Sequence, residues 1–232
     1  MRKIKVGIVN YLNTAPLVYG LQNSSIINKI ELIPDYPANL ARDLKDGRID
    51  LGLVPVAIIP SLETWSIVGN YCIGADGPVA SVGIFSEVPI EEIKTVLLDY
   101  QSRTSVALAK ILLKDYWKLD VEFVNGREDF HKQIKGSVAG VVIGDRALEM
   151  RRNVPFIYDL GEAWKKHTGL PFVFAAWIGN KEFSEEFIDE FNKANAYGLQ
   201  HLPEVLAEHP YDVFNLKEYY TKYIKYELDA EK

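Results

Sequence analysis

The sequence predicts an α/β fold built as two lobes, and three observations carry that reading. Short apolar runs alternate with helical patterns from the amino terminus onward, which is how parallel strands covered by helices are written. A second such set begins after Gly83, with apolar faces of its own. Two strand-like segments, residues 78–85 and 171–178, flank that second set and read as crossings between lobes, so the middle lobe is an insertion into the first. The expected division is residues 1–83 with 176–232 as lobe one, and 84–175 as lobe two.

Residues 3–9 read as the first strand, a buried-type run that stops at Asn10. A short polar turn, Asn10 to Thr14, leads directly into a helix that starts at Ala15. A polar turn at a strand's carboxyl end beside unpaired helix N–H groups is the arrangement with which open α/β sheets hold anions. A strand over 29–33 and a helix over 38–45 follow, the helix ending at Gly47 in a left-handed cap. The strand at 49–54 is turned out of the sheet by Pro55. The second set comprises a strand at 95–98, a helix at 104–116, strands at 121–124 and 138–143, and a helix from Arg146. The tail, 184–226, reads as entirely helical, with Phe and Tyr at a spacing that suits packing. No repeat or long linker interrupts the chain, which predicts short hinges.

The composition narrows the function. Across 232 residues the net charge is −6 and no Lys/Arg-rich block occurs, which argues against a nucleic-acid or anionic-membrane surface. The single cysteine, Cys72, excludes an internal disulfide and any CxxC motif, and reads as a small buried hydrophobe. Arg2, Lys3 and Lys5 precede an apolar stretch broken at Asn10 and Asn13, so it reads as a first strand of an unexported, cytoplasmic chain. The longest apolar run, 51–59, is far too short to span a membrane. No phosphate or dinucleotide loop, HExxH or GxSxG motif is found, and His131, His167, His201 and His209 lie far apart. The expectation is a site without metal, nucleotide cofactor or covalent nucleophile. Nothing in the sequence selects between a monomer and a homodimer.

Candidate chemistry gathers at strand-to-helix turns. Ser102, Arg103, Thr104 and Ser105 lie between a strand and a well-patterned helix, and they suit either a carboxylate site or a helix cap. Gly144 permits close backbone approach, and Asp145 beside it either orients a ligand hydroxyl, moves a proton or caps the next helix. In the two-lobe layout, Ser81 on the first crossing and Thr168-Gly169 before the second face the cleft.

Taken in order, Tyr11-Leu12-Asn13-Thr14 with Pro16-Leu17, the Gly-Arg-Ile-Asp-Leu-Gly-Leu-Val-Pro stretch at 47–55, Ser102-Arg103-Thr104-Ser105, Ile143-Gly144-Asp145-Arg146-Ala147-Leu148 and Thr168-Gly169-Leu170-Pro171-Phe172-Val173-Phe174-Ala175 resemble one family. That family is the chorismate dehydratases of the futalosine route to menaquinone, and the resemblance runs over about residues 6–177. It implies a fold similar to type 2 periplasmic binding proteins, with a two-strand hinge and an interlobe ligand cleft. It also implies cofactor-free loss of water from chorismate to give 3-[(1-carboxyvinyl)oxy]benzoate. The sister enzyme, 1,4-dihydroxy-6-naphthoate synthase, shares the fold, but its opening motif differs from Tyr11-Leu12-Asn13-Thr14. A non-catalytic solute-binding protein is the other alternative. Under the resemblance, Asn13, Ser81 and Asp145 are the catalytic candidates. Tyr11, Thr14, Ser102, Arg103, Thr104, Ser105, Gly144, Thr168 and Gly169 are the substrate-binding ones. Either Asp145 or the substrate's own enolpyruvyl carboxylate takes the ring proton.

Overall fold

The computed structural model describes residues 2–229. The chain begins with β1 (Ile4–Val9), α1 (Ala15–Gln22), β2 (Ile30–Asp35), α2 (Pro37–Lys45), β3 (Leu51–Pro55) and β4 (Ser66–Ala75). It then enters a second set: β5 (Val82–Ser86), β6 (Thr95–Leu98), α3 (Thr104–Ile111), β7 (Glu122–Asn125), β8 (Val138–Ile143), α4 (Asp145–Met150), β9 (Phe156–Asp159) and α5 (Leu160–Thr168). The return consists of β10 (Phe172–Gly179), α6 (Glu185–Gln200), α7 (Leu202–Glu208), α8 (Leu216–Glu218) and β11 (Lys225–Glu227).

These strands form two sheets. The first has the order β11-β4-β10-β3-β1-β2, and the second β7-β6-β8-β5-β9. In the first, β1 runs parallel to β2 and β3, while β10 is antiparallel to both β3 and β4. In the second, β6 is parallel to β7 and β8, and β5 is antiparallel to β8 and β9. Strands β3 and β5 are buried along their whole length, as expected for apolar runs covered on both faces. Helices α1 and α6 meet backbone to backbone at Gly20 and Gly198, where an added Cβ would come within 1.9 Å of Ala194 O and 1.8 Å of Pro16 O. Only glycine allows that approach.

The chain changes sheet in the segments 76–81 and 169–171. The boundaries drawn at 83/84 and 175/176 fall inside β5 and β10, whose apolar runs continue without a change of composition. Asp159 organises the first passage. Its buried carboxylate accepts N–H bonds from Val79 and Ala80 (2.8–3.1 Å), and from Gly161 and Glu162 at the start of α5. Ala80 is held at φ 63°, with Arg151 Nη1 donating to its carbonyl at 3.0 Å.

The tail departs from the all-helical expectation. Residues 209–215 are non-helical, and β11 adds an edge to β4. A three-residue strand, Lys225-Tyr226-Glu227, is too short to show a period, so only its pairing identifies it. β4, β9 and α5 also escape the sequence reading. Within β4, Gly69 at φ 77° breaks the alternation that would mark a strand. The helix expected at 104–116 is α3, continued to Tyr116 by a π-turn, Leu112–Tyr116. Among the described residues no helix is long and apolar enough to cross a membrane.

Candidate functional site

The turns that leave β1, β6 and β8 at their carboxyl ends converge on a narrow cleft between the two sheets that opens to solvent. Its walls are largely apolar, with Leu53, Ile73, Val82, Ile143 and Phe174 forming a slot suited to a carbon ring. Polar groups enter from two sides. Tyr11, Asn13 and Thr14 come from the β1–α1 turn, and Ser102, Thr104 and Ser105 from the β6–α3 turn, with Gly144 after β8. No charged side chain lines this cleft among the described residues.

The β1–α1 turn is braced from within and behind. The Thr14 hydroxyl lies 2.6 Å from Val9 O and 2.8 Å from Tyr11 O, to which it donates. Tyr226 Oη donates to Asn13 O at 2.8 Å. Asn13 Oδ1, by contrast, is buried at the cleft wall with no hydrogen-bond partner. A buried acceptor left unpaired is costly, so the atom calls for a donor from whatever occupies the cleft.

The β6–α3 turn uses its hydroxyls differently. Ser102 Oγ accepts from Ser105 N at 3.2 Å, capping the helix. Thr104 Oγ1 accepts from Ala57 N at 3.2 Å, reaching the segment after β3 in the other sheet. Arg103 is exposed and lies outside the cleft lining. Beneath the turn, buried Asp99 accepts from Gln101 N (3.0 Å) and Ile143 N (3.3 Å) and pairs with Arg146 Nη2 at 2.8 Å. Burial pushes the Asp99 carboxyl up, and the Arg146 guanidinium pulls it partly back.

Two further contacts join the sheets at Tyr11 and Leu12. Tyr11 Oη donates to Gln101 Oε1, and Leu12 N donates to Asp145 Oδ1 at 3.0 Å. Burial raises the Tyr11 phenol well above its ordinary value, so it is a neutral donor. Burial also raises the Asp145 carboxyl to about 6, against a downward pull from the Leu12 N–H.

A model of the family described as menaquinone biosynthesis matches residues 4–232. The chain belongs to that family. Two curated members named chorismate dehydratase are similar to it. The one from Thermus thermophilus is 27% identical over 99% of this chain and 91% of its own length. The one from Campylobacter jejuni is 30% identical over 81% and 73%. Among solved structures, protein AF1704 from Archaeoglobus fulgidus superposes with a TM-score of 0.78 at 16% identity, covering 99% of this chain and 92% of that one. The Candida albicans CA3427 product, which exhibits the generic periplasmic binding protein fold, gives 0.62 at 14% identity, covering 97% and 82%. At these identities the structural likeness establishes the fold, a two-lobe periplasmic-binding-protein architecture.

Against that family pattern, the structure brings Tyr11, Asn13, Thr14, Ser102, Thr104, Ser105 and Gly144 into one cleft. Asp145 lines grooves outside it, beside Asn10 and Tyr11. Ser81 is buried behind the lining, where it accepts from Tyr219 Oη at 2.6 Å. Thr168 and Gly169 do not face the cleft. Thr168 Oγ1 donates to Trp164 O and accepts from Leu170 N, and Gly169 at φ 77° ends α5, so both serve the helix terminus. Sequence reasoning gave no role to Asp99, Gln101 and Arg146, although all three lie within the strand-to-helix segments it singled out, 98–105 and 142–148. It missed Tyr219 and Tyr226.

Proposed function

We propose that the chain is a chorismate dehydratase, a carbon–oxygen lyase of the hydro-lyase type. It removes water from chorismate to give 3-[(1-carboxyvinyl)oxy]benzoate in the futalosine route to menaquinone, in the cytoplasm and without a cofactor. The observation that carries the reading is Asn13 Oδ1, an acceptor with nothing to accept at the wall of an apolar slot. A chorismate dianion carries a single O–H donor, the ring hydroxyl that departs, and in this reading Asn13 Oδ1 accepts it. Relatives that bear the dehydratase name match 99% and 81% of the chain, at 27% and 30% identity, which supports the same reading.

One carboxylate goes to the start of α3, where a helix beginning favours an anion by about 0.3–1 kcal/mol, rising to about 2 kcal/mol where partly buried. The other lies along the β1–α1 turn, whose Leu12, Thr14 and Ala15 N–H groups are already bonded within the protein and whose Pro16 has none, so that side contributes little helix-end attraction. The ring occupies the slot between Leu53, Val82 and Phe174. Chorismate's ring carboxylate is conjugated so that the proton on the ether-bearing carbon is vinylogously acidic. When that proton leaves, its C–H electron pair enters the ring and expels the neighbouring hydroxyl, and the ring becomes benzenoid. No carboxylate, imidazole or amine side chain lines the cleft among the described residues, and Asp145 is turned to Leu12 N outside it. The substrate's enolpyruvyl carboxylate therefore takes the ring proton and returns it to the departing hydroxyl, so one water leaves with no proton drawn from the protein. The protein supplies orientation and a dry, preorganised field.

The test is direct. Purified protein incubated with chorismate should change its ultraviolet spectrum and yield a product lighter by one water. Chorismate bound but unchanged would make the chain a carboxylate-binding protein, and no binding at all would turn attention to the sister synthase. Single-turnover rates of Asp145→Asn near those of the parent chain are expected. A rate collapse in that variant would return the proton to Asp145.

A further inference from the structure

We propose that Gln101, with its side-chain amide fixed by Arg146 and Asp99, is a positioning residue that holds the cleft closed by receiving the Tyr11 hydroxyl and thereby sets Asn13 against the ligand. The inference rests on the cleft being the ligand site, as read above, but not on which reaction occurs there.

The receiving half is complete within lobe two. Asp99 is buried and fixes the Gln101 backbone through the 3.0 Å bond from Gln101 N. Arg146 Nη2 lies 3.0 and 2.8 Å from the two Asp99 oxygens and donates to Gln101 Oε1 at 2.8 Å. The other end of the Gln101 amide donates to Tyr100 Oη at 2.9 Å. With its NH₂ group committed to Tyr100 and a cation at its oxygen, the Gln101 amide has one orientation, and Oε1 is an acceptor polarised by a guanidinium. It faces lobe one.

The arriving half is the β1–α1 turn. Tyr11 reaches across, donates its neutral hydroxyl to Gln101 Oε1 and lays its ring on Gly144. A Cβ at Gly144 would stand 3.1 Å from that ring, and the residue's φ of 66° is one that side chains rarely adopt. The next residue, Leu12, gives its N–H to Asp145 of lobe two at 3.0 Å. The residue after that is Asn13, whose Oδ1 is unpaired at the cleft wall. Two successive residues of one turn dock on lobe two, and the third presents the group that meets the ligand. Opening the lobes would break both contacts and withdraw Asn13 from the α3 side of the cleft.

Spin labels at exposed Lys45→Cys and Glu128→Cys, one on each lobe, report the interlobe distance by pulsed electron paramagnetic resonance in the otherwise intact chain. Measurements without ligand and with saturating chorismate compare the parent with Tyr11→Phe, Gln101→Ala, the double variant and Gln101→Glu. Both single variants should shift the distance distribution away from that of the parent and raise the chorismate KM about tenfold, with kcat changed less than threefold. The double variant should be no worse than the poorer single, because each single already removes the Tyr11–Gln101 bond. Gln101→Glu, which keeps an acceptor for Tyr11 and Arg146, should restore the parent distances. Unchanged distances in both single variants, or additive losses in the double, overturn the proposal. Tyr11→Phe leaves lobe two untouched, so it decides the matter should Gln101→Ala fail to fold. If chorismate proves not to be the ligand, the ligand-free distances still decide, since a shift supports the latch and identity with the parent refutes it.

Discussion

The two turns that face each other across the cleft have similar sequences of small polar residues and opposite uses for them. In the β6–α3 turn the hydroxyls are spent on the fold, with Ser102 capping α3 and Thr104 tied to Ala57 N. If the lobes parted, that turn would lose the Ala57 contact but keep the Ser102 cap and the Asp99–Arg146 ion pair beneath it, both internal to its own lobe. In the β1–α1 turn Thr14 closes the loop, and Tyr11 and Leu12 are held by the opposite lobe. The next residue, Asn13, keeps an unpaired acceptor. The lesson is that a density of hydroxyls marks a well-built turn, whereas a buried acceptor left unpaired at the wall of a cleft is free to meet whatever enters it.

The largest effect should come from undermining the rigid side. Asp99→Ala leaves the Arg146 guanidinium partly buried without its counter-charge, and removes the acceptor for Gln101 N and Ile143 N. A loss of about 3 kcal/mol or more is expected, seen as a fall in Tm of about 6–12 °C for a chain of this size. A Tm within a degree or two of the parent would mean that the turn does not depend on its buried pair. Next in size is Asn13→Ala on the adaptable side. It should lower kcat/KM for chorismate about a hundredfold, about 2.7 kcal/mol of transition-state stabilisation, with Tm essentially unchanged because no bond of its side-chain oxygen is lost. Retained turnover would remove Asn13 as the ligand's partner and dissolve the contrast between the turns.

Much of this arrangement was legible beforehand, for physical reasons. The core strands are continuous apolar runs, as in β3 and β8, and the helix starts after β1, β6 and β8 follow directly from them. That placed Asn13, Thr14, Ser102, Thr104 and Ser105 at the correct ends of the correct strands. The direction in which each side chain points was not legible. Asp145 and Gly144 are neighbours, yet one lines the outer grooves and the other the cleft. Nor does local sequence announce partners that arrive from far along the chain. Tyr219 meets Ser81 across 138 positions and Tyr226 meets Asn13 across 213, so aromatics spaced like helix core turn out to brace the crossing segment and the turn.

A pH series sharpens the adaptable side further. Asp145 titrates at about 6 in the folded chain against an ordinary value of 3.8, chiefly through burial, with Glu149 adding upward and Leu12 N–H and Arg146 pulling down. Because the folded state binds this proton more tightly than the unfolded chain, the stability it contributes is complete below about pH 4. It is lost as pH rises through about 6, and amounts to about 1–2 kcal/mol after allowance for partial exposure. Asp145→Asn stays neutral and keeps an oxygen for Leu12 N, so it should lack that slope. Urea unfolding of both proteins from pH 4 to 7 should show the parent losing stability relative to the variant. Parallel curves would mean that the Asp145 carboxyl is not strained by its place between the lobes.

The smallest effect tests the rigid side where it most resembles a ligand site. Ser102 lines the cleft, so a binding role is the obvious reading, but its oxygen already accepts from Ser105 N. Replacing a capping serine with alanine costs about 1 kcal/mol, or a fall in Tm of about 2–4 °C here. If capping is its work, Ser102→Ala should show that loss while kcat/KM for chorismate stays within about threefold. The reverse pattern, an unchanged Tm with turnover down tenfold or more, would mean that the Ser102 hydroxyl leaves the helix to serve the substrate. Both turns would then be ligand-facing in the same sense, and the division of labour drawn between them would have to be replaced by a symmetric grip on the two carboxylates.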